Sequence, residues 1–194
     1  FTHRGTAGIK DMIKSKVVKH IGIIYRMKFF VPRSVLLSLY HALVEPYLQY
    51  CNIIWAGHRT SALMDLFLCQ KRLMRIITNS SRLSHSAPLF KQLSILPVYD
   101  INNLQVGCFM YSAVNRLLPQ CFSSMFVTNS TVHSYNTRRH NDIHQTCSFV
   151  VILQKNYIRV YEALLWNSFD SEIKCLPTLS SFNNRYKQKL IASL

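Results

Sequence analysis

Through the first two thirds of this chain apolar residues recur at spacings of three and four, a period that buries one side of a helix and does not fit a strand. Near the N-terminus Ile9, Ile13, Val17, His20, Ile24 and Met27 fall along one side, and Lys10, Lys14, Lys19, Arg26 and Lys28 fall on the others. Pro32 stands where a helix start tolerates proline. Val35, Leu36, Leu39, Leu43 and Val44 follow as the expected buried stripe of a second helix, ended or kinked at Glu45-Pro46. The cleanest amphipathic segment runs from about Thr60 to Asn79, with Leu63, Leu66, Phe67, Leu73, Met74 and Ile77 inward and Lys71, Arg72, Arg75 and Asn79 outward. Ser86-Ala87-Pro88 reads as another helix start, and Pro97 opens a long, weakly charged helix reaching about Leu118.

Beyond Val127 the pattern breaks into Thr, Asn, Ser and His, which predicts a polar connector over 127–147. Phe149 to Leu153 is a short β-favouring run. A helix around Tyr161, Leu164, Leu165 and Trp166 follows, then a turn through Cys175 to Pro177. The last, basic helix has Phe182, Tyr186 and Leu190 inward and Arg185, Lys187 and Lys189 outward. The expected fold is therefore mainly α: a helical bundle over 1–126, the connector, and a smaller α-rich C-terminal extension over 148–194 with room for one short β-hairpin.

Composition narrows the function classes. With 49% hydrophobic residues, 11 Phe, 10 Tyr and only 5 Gly, the chain is neither a disordered basic tail nor a collagen-like or linker sequence. The 23 Lys and Arg against 8 Asp and Glu, a net charge of +15, must then sit on a folded body. Such a body repels itself unless a polyanion neutralises it, which makes nucleic acid the leading partner class, ahead of anionic membrane. Metal-dependent phosphoryl transfer needs converging carboxylates, and here they are scattered, with only Asp170 and Glu172 close together. The six cysteines, widely and irregularly spaced and mostly in apolar segments, read as reduced thiols of an intracellular protein; the cytoplasm and nucleus, where nucleic acid is met, are the expected compartments. No signal peptide opens the chain, and its longest uncharged stretch, 117–137, is interrupted by Pro119 and too polar to span a bilayer. Starting at Phe1 rather than Met, the sequence fits a piece of a longer polypeptide.

Two basic clusters are candidate nucleic-acid contacts. Lys71 and Arg75 are one helical turn apart with Arg72 adjacent, and no acid lies nearer in that segment than Asp65. The ordinary alternative is a solvated helix face on a basic protein. Tyr135, Arg138 and Arg139, within Tyr135-Asn136-Thr137-Arg138-Arg139-His140, combine a stacking ring with guanidinium groups suited to single-stranded RNA. Taken alone the segment reads better as a turn whose arginines cap a neighbouring helix, which leaves it the secondary candidate. His133, His140, His144 and Cys147 match no paired zinc-ligand spacing and are expected to be surface groups. Trp55 and Trp166 are expected core anchors, and His20 and His41, in apolar helical patterns, core or half-buried residues rather than acid–base catalysts. The basic helices need their apolar faces for a core, so membrane binding is not expected.

Several segments, taken in order, resemble a known family. They are Ser15-Lys16 through Ile21-Gly22-Ile23, Leu39-Tyr40-His41-Ala42-Leu43-Val44-Glu45-Pro46-Tyr47-Leu48-Gln49-Tyr50-Cys51, and Ile54-Trp55-Ala56-Gly57. They continue with Gln70-Lys71-Arg72-Leu73-Met74-Arg75-Ile76-Ile77, Pro88-Leu89-Phe90, Leu93-Ser94-Ile95-Leu96, His133-Ser134-Tyr135-Asn136-Thr137-Arg138 and Leu165-Trp166-Asn167-Ser168. Order and spacing resemble the region after the polymerase core in LINE-type, jockey-like non-LTR retrotransposon reverse transcriptases. One departure is Glu162-Ala163, where that pattern usually has a Gly-Pro pair. The resemblance implies a helical thumb and C-terminal extension that hold template-primer, an RNA–DNA hybrid or element RNA, beside the palm and fingers of the same polypeptide. It places the catalytic Asp-Asp box and its Mg²⁺ upstream. No adjacent Asp pair occurs in this chain, so no polymerase activity and no cofactor are expected of it alone.

Overall fold

The computed structural model describes residues 3–56, 60–122, 126–132, 142–144 and 155–194. They form α1 (His3–Met27), α2 (Arg33–Leu43), α3 (Glu45–Gln49), α4 (Asn52–Trp55), α5 (Thr60–Ile77), α6 (Ala87–Leu93), α7 (Val98–Val114), α8 (Asn129–Val132), α9 (Lys155–Asn167), α10 (Ser171–Lys174) and α11 (Leu179–Ala192). The protein is mainly α, as its periodicity requires. Among the described residues the β pairing is a single antiparallel bridge between Thr128 and Ile143. The β-favouring run 149–153 lies outside the described residues, as does most of the expected connector. The chain packs as two compact units, Phe1–Asn102 with Gln188–Leu194, and Asn103–Lys187.

In the first unit α1 lies against α2, α3, α4 and α5, and α5 packs on α2 and α6. Ile13, Val17, Ile21 and Ile24 of α1 meet Leu63, Leu66, Leu73, Met74 and Ile77 of α5 in the core, closed by Leu36, Tyr40, Val44 and Leu48. The buried stripe of α2 is thus 36, 40, 44, a strict four-residue row carried through to Leu48. Val35, expected inside, is exposed, and Tyr40 holds the central place. Met27 is likewise turned out, because α1 ends there and Ile21 and Ile24 complete its apolar face. Pro32 is the N-cap of α2 and Pro46 sits in the first turn of α3, the two places where a missing N–H costs no hydrogen bond. Cys51, at φ 49°, makes the left-handed reversal that lets α4 begin immediately after α3. Trp55 is buried there, its indole N–H donating to the Tyr50 carbonyl at 2.6 Å.

The second unit has an aromatic core. Phe182 is fully buried against Tyr111, Trp166, Phe169 and Tyr186, with ring centroids 4.9–6.1 Å apart. The Tyr111 hydroxyl donates to the Leu176 carbonyl at 2.6 Å. Asn167 follows Trp166 and acts as a short piece of sheet: its side chain accepts from Ile143 N–H and donates to Ile143 C=O, both at 3.0 Å. Glu162 and Ala163 lie buried inside α9, where a proline would break the helix. The helix from Pro97 stops at Val114, short of Leu118, because Arg116 turns left-handed (φ 56°) and Leu117 N–H closes back on the Ser112 carbonyl at 2.8 Å.

Gly107 of α7 faces this aromatic core. A Cβ built there would stand 2.9 Å from Tyr186 Cε1 and 3.3 Å from Phe169 Cζ. Both rings are buried and packed on each other at 4.6 Å, so neither can swing aside. Alanine would gain ~1 kcal/mol of helix propensity and lose more to overpacking, in the range of about 1–3 kcal/mol. Gly107→Ala is therefore expected to lower stability by ~1 kcal/mol in urea unfolding; a more stable variant would show that this core has slack.

Cysteine reactivity is graded by burial. Packing around Cys108 pushes its thiol up to about 11, while Cys51, Cys121 and Cys175 are exposed. With so little thiolate, Cys108 should alkylate roughly a hundredfold more slowly than an unshifted thiol at mildly alkaline pH. Peptide mapping after timed iodoacetamide treatment checks this: Cys108 modified as early as Cys121 or Cys175 would contradict its placement.

Candidate nucleic-acid interface

Helix α5 carries the first predicted cluster on its last two turns. The helix is fixed from inside. Gln70, at a position of the apolar stripe, is 0% exposed, and its amide N–H₂ donates to Tyr40 Oη at 2.9 Å and to the Leu96 carbonyl at 2.8 Å. Its carbonyl accepts the Val98 N–H at 2.9 Å, so Gln70 caps the start of α7 from outside that helix. Burial raises the Tyr40 hydroxyl above the ordinary tyrosine range, with the Gln70 contact opposing. A second buried pair, in which Asn102 donates to Asn52 and Asn52 to the Leu48 carbonyl at 2.7 Å, ties α7 to α4.

On this anchored helix the three predicted cations have different settings. Arg72 is exposed. Lys71 is half-buried, its Nζ 4.3 Å above the Phe67 ring, which stacks on Phe90 and meets Tyr99 edge-on. Arg75 is half-buried and donates through Nε to the Ser84 carbonyl at 3.0 Å, holding the connection between α5 and α6; its charge also suits the C-terminal end of the α5 dipole. Arg75 thus has a structural duty that Lys71 and Arg72 lack.

Two carboxylates of the first unit have partners of their own. Asp65 bonds Lys14 Nζ at 2.7 Å, which raises the Lys14 pKa, and Glu45 pairs with His41 one turn away. Neither contact involves Lys71 or Arg72, which have no carboxylate partner among the described residues. Residues 1–102 carry fourteen Lys and Arg against Asp11, Glu45, Asp65 and Asp100, which leaves the first unit strongly positive.

Tyr135, Arg138 and Arg139 lie outside the described residues, as do His133, His140 and Cys147 of the histidine-rich segment. His144 is described and meets Asn129 through Nδ1 at 2.9 Å. No group of three or more His, Cys, Asp or Glu converges among the described residues. Trp55 and Trp166 are buried as expected. His20 is half-buried, tilted against the Tyr47 ring at 5.4 Å. His41 differs from expectation: it is exposed and turned to Glu45, an i,i+4 pairing visible in the sequence, because the buried stripe of α2 passes through Tyr40. No helix among the described residues is long and apolar enough to cross a membrane.

Two features escaped the sequence reading. Gln70 sits at stripe spacing from Leu63, Leu66, Leu73 and Ile77, and a lone amide in such a row is the signal of a buried polar clamp. Tyr25, Phe29 and Phe30 belong to no expected buried stripe, and two adjacent Phe before Pro32 mark a turn that presents rings. Comparison with known proteins adds no identity: no protein-family model, curated protein or solved structure matches the chain.

Proposed function

We propose that this chain is the thumb and post-polymerase region of a LINE-type reverse transcriptase, holding template-primer against α5 while catalysis and its Mg²⁺ belong to a palm upstream. The observation that carries the reading is the pair Lys71 and Arg72: adjacent cations without a carboxylate partner among the described residues, on a helix locked through Gln70. A rigid helix lets charges meet phosphates without first losing conformational freedom, and the surrounding excess of cations steers a polyanion to them. Their partners would be the RNA–DNA hybrid and the palm and fingers of the same polypeptide. The order of motifs from Ser15 to Ser168 supports the same assignment.

A second reading, a truncated or repurposed helical interaction module, is favoured by the exposed Met64 and Leu68, which lie on α5 two turns and one turn before Arg72. The transcript upstream of the codon for Phe1 separates the two. An in-phase aromatic-x-Asp-Asp box is expected for the polymerase reading, and a nearby start codon with no such box would overturn it.

A further inference from the structure

Apart from the α5 face, the join between α1 and α2 carries a second, differently built surface. Phe29 and Phe30 are 69% and 83% exposed, with Tyr25 and Met27 exposed beside them and Val35 just beyond. Single exposed apolar residues are ordinary; a contiguous group of rings is not. The turn that holds them is closed by backbone bonds, Phe30 N–H to the Met27 carbonyl at 2.9 Å and Val31 N–H to the same carbonyl at 3.1 Å, and ends on Pro32. The rings are thus presented on fixed backbone. Tyr25 and Phe29 meet edge to face at 6.1 Å, and Lys28 Nζ lies 5.0 and 4.9 Å from their centroids.

Charge narrows what can cover this tip. From Met12 to Val44 there is no Asp or Glu, whereas Lys14, Lys16, Lys19, Arg26, Lys28 and Arg33 lie in that span. Arg26 and Arg33 flank the rings and are exposed. Rings and cations together fit a ligand with flat apolar faces joined by regularly spaced negative charge, which is a single-stranded nucleic acid. Insertion into a lipid layer would carry the Lys28 ammonium down with the rings it rests on, a cost that stacking avoids because the amine stays level with the backbone phosphates.

We infer that the α1–α2 tip is a stacking site for single-stranded RNA or DNA, with Phe30 as the open platform, Phe29 and Tyr25 beside it, and Lys28, Arg26 and Arg33 on the phosphates. It uses other elements than the α5 face: its rings and cations belong to the end of α1, the turn and the start of α2, whereas Lys71 and Arg72 belong to α5. A stacking platform takes any base, so the site tracks strands without reading sequence. In a nucleic-acid-handling protein it would guide the unpaired strand.

The test uses the full chain carrying Phe29→Ser with Phe30→Ser; both side chains are mostly solvated, and an unchanged thermal melt confirms the fold. Anisotropy titrations with oligouridylate, oligothymidylate and an RNA–DNA hybrid are run at two salt concentrations. The expected result is a loss of about tenfold or more on single strands, with hybrid affinity and salt slope retained and Phe30→Trp binding as the parent does. The oligomer that loses more identifies the strand. Single-strand affinity unchanged, or lost equally on the hybrid, overturns the site. So does tight binding to vesicles of phosphatidylcholine with about one-third phosphatidylserine that the double variant abolishes while single-strand affinity stays. A chain that holds single strands through Phe30 yet ignores the hybrid would sink the template-primer reading and leave this one standing.

Discussion

Replacing Lys71 and Arg72 together by glutamate is expected to weaken binding to an RNA–DNA hybrid by about a thousandfold or more near physiological salt and to lower the salt slope by about two. Each cation that leaves a phosphate takes with it a charge-assisted hydrogen bond of about 1.5–3 kcal/mol and roughly one released counterion. Reversal adds repulsion. Arg75 is kept in this variant because its Nε holds the Ser84 carbonyl, and its loss would mix loop disorder with lost charge. Lys71→Gln with Arg72→Gln should give a smaller loss and the same change of slope. A folded double reversal that binds as the parent does would remove α5 from the interface and make its charge an ordinary solvated face.

The second large effect concerns stability. Gln70→Leu fills nearly the same volume but strands three buried groups: the Tyr40 hydroxyl, the Leu96 carbonyl and the Val98 N–H. Each unsatisfied group costs about 1–3 kcal/mol, against a gain of ~1 kcal/mol for the leucine, so the expected loss is ~3–5 kcal/mol. That is a large share of the ~5–15 kcal/mol holding a typical domain together. Tyr40→Phe removes one of the three bonds and should cost only about 1 kcal/mol. Urea unfolding of both single variants and the double checks the network: coupling between positions 40 and 70 near zero would mean the two side chains act independently. The clamp also links stability to binding, since the same residue precedes Lys71 and fixes the helix that displays it.

Helix positions were legible because α1, α5, α9 and α11 bury stripes at helical spacing and proline marks the starts of α2, α6 and α7. Which residue leads a stripe was less so. In α2 the sequence offers apolar residues on adjacent positions, and only packing against α1 and α5 selects Leu36, Tyr40 and Val44 over Val35. The end of α7 was missed because it rests on a left-handed Arg116 rather than on glycine, the usual sign of such a stop. Gln70 is not legible for a related reason: a polar residue in a core row looks like a surface interruption until its three partners, 26 to 30 residues away in sequence, are brought to it. For the basic face, sequence supplied the charges but not their duties. Arg75 and Lys71 look alike on a helical wheel, yet one ties a loop and the other lies on a ring.

The most direct measurement is fluorescence anisotropy of the 194-residue chain with an RNA–DNA hybrid, duplex DNA and single-stranded RNA, each titrated at two salt concentrations. A thumb that holds template-primer predicts tight, salt-steep binding that prefers the hybrid over duplex DNA. Binding that is absent, or indifferent to the form of the nucleic acid, would contradict it.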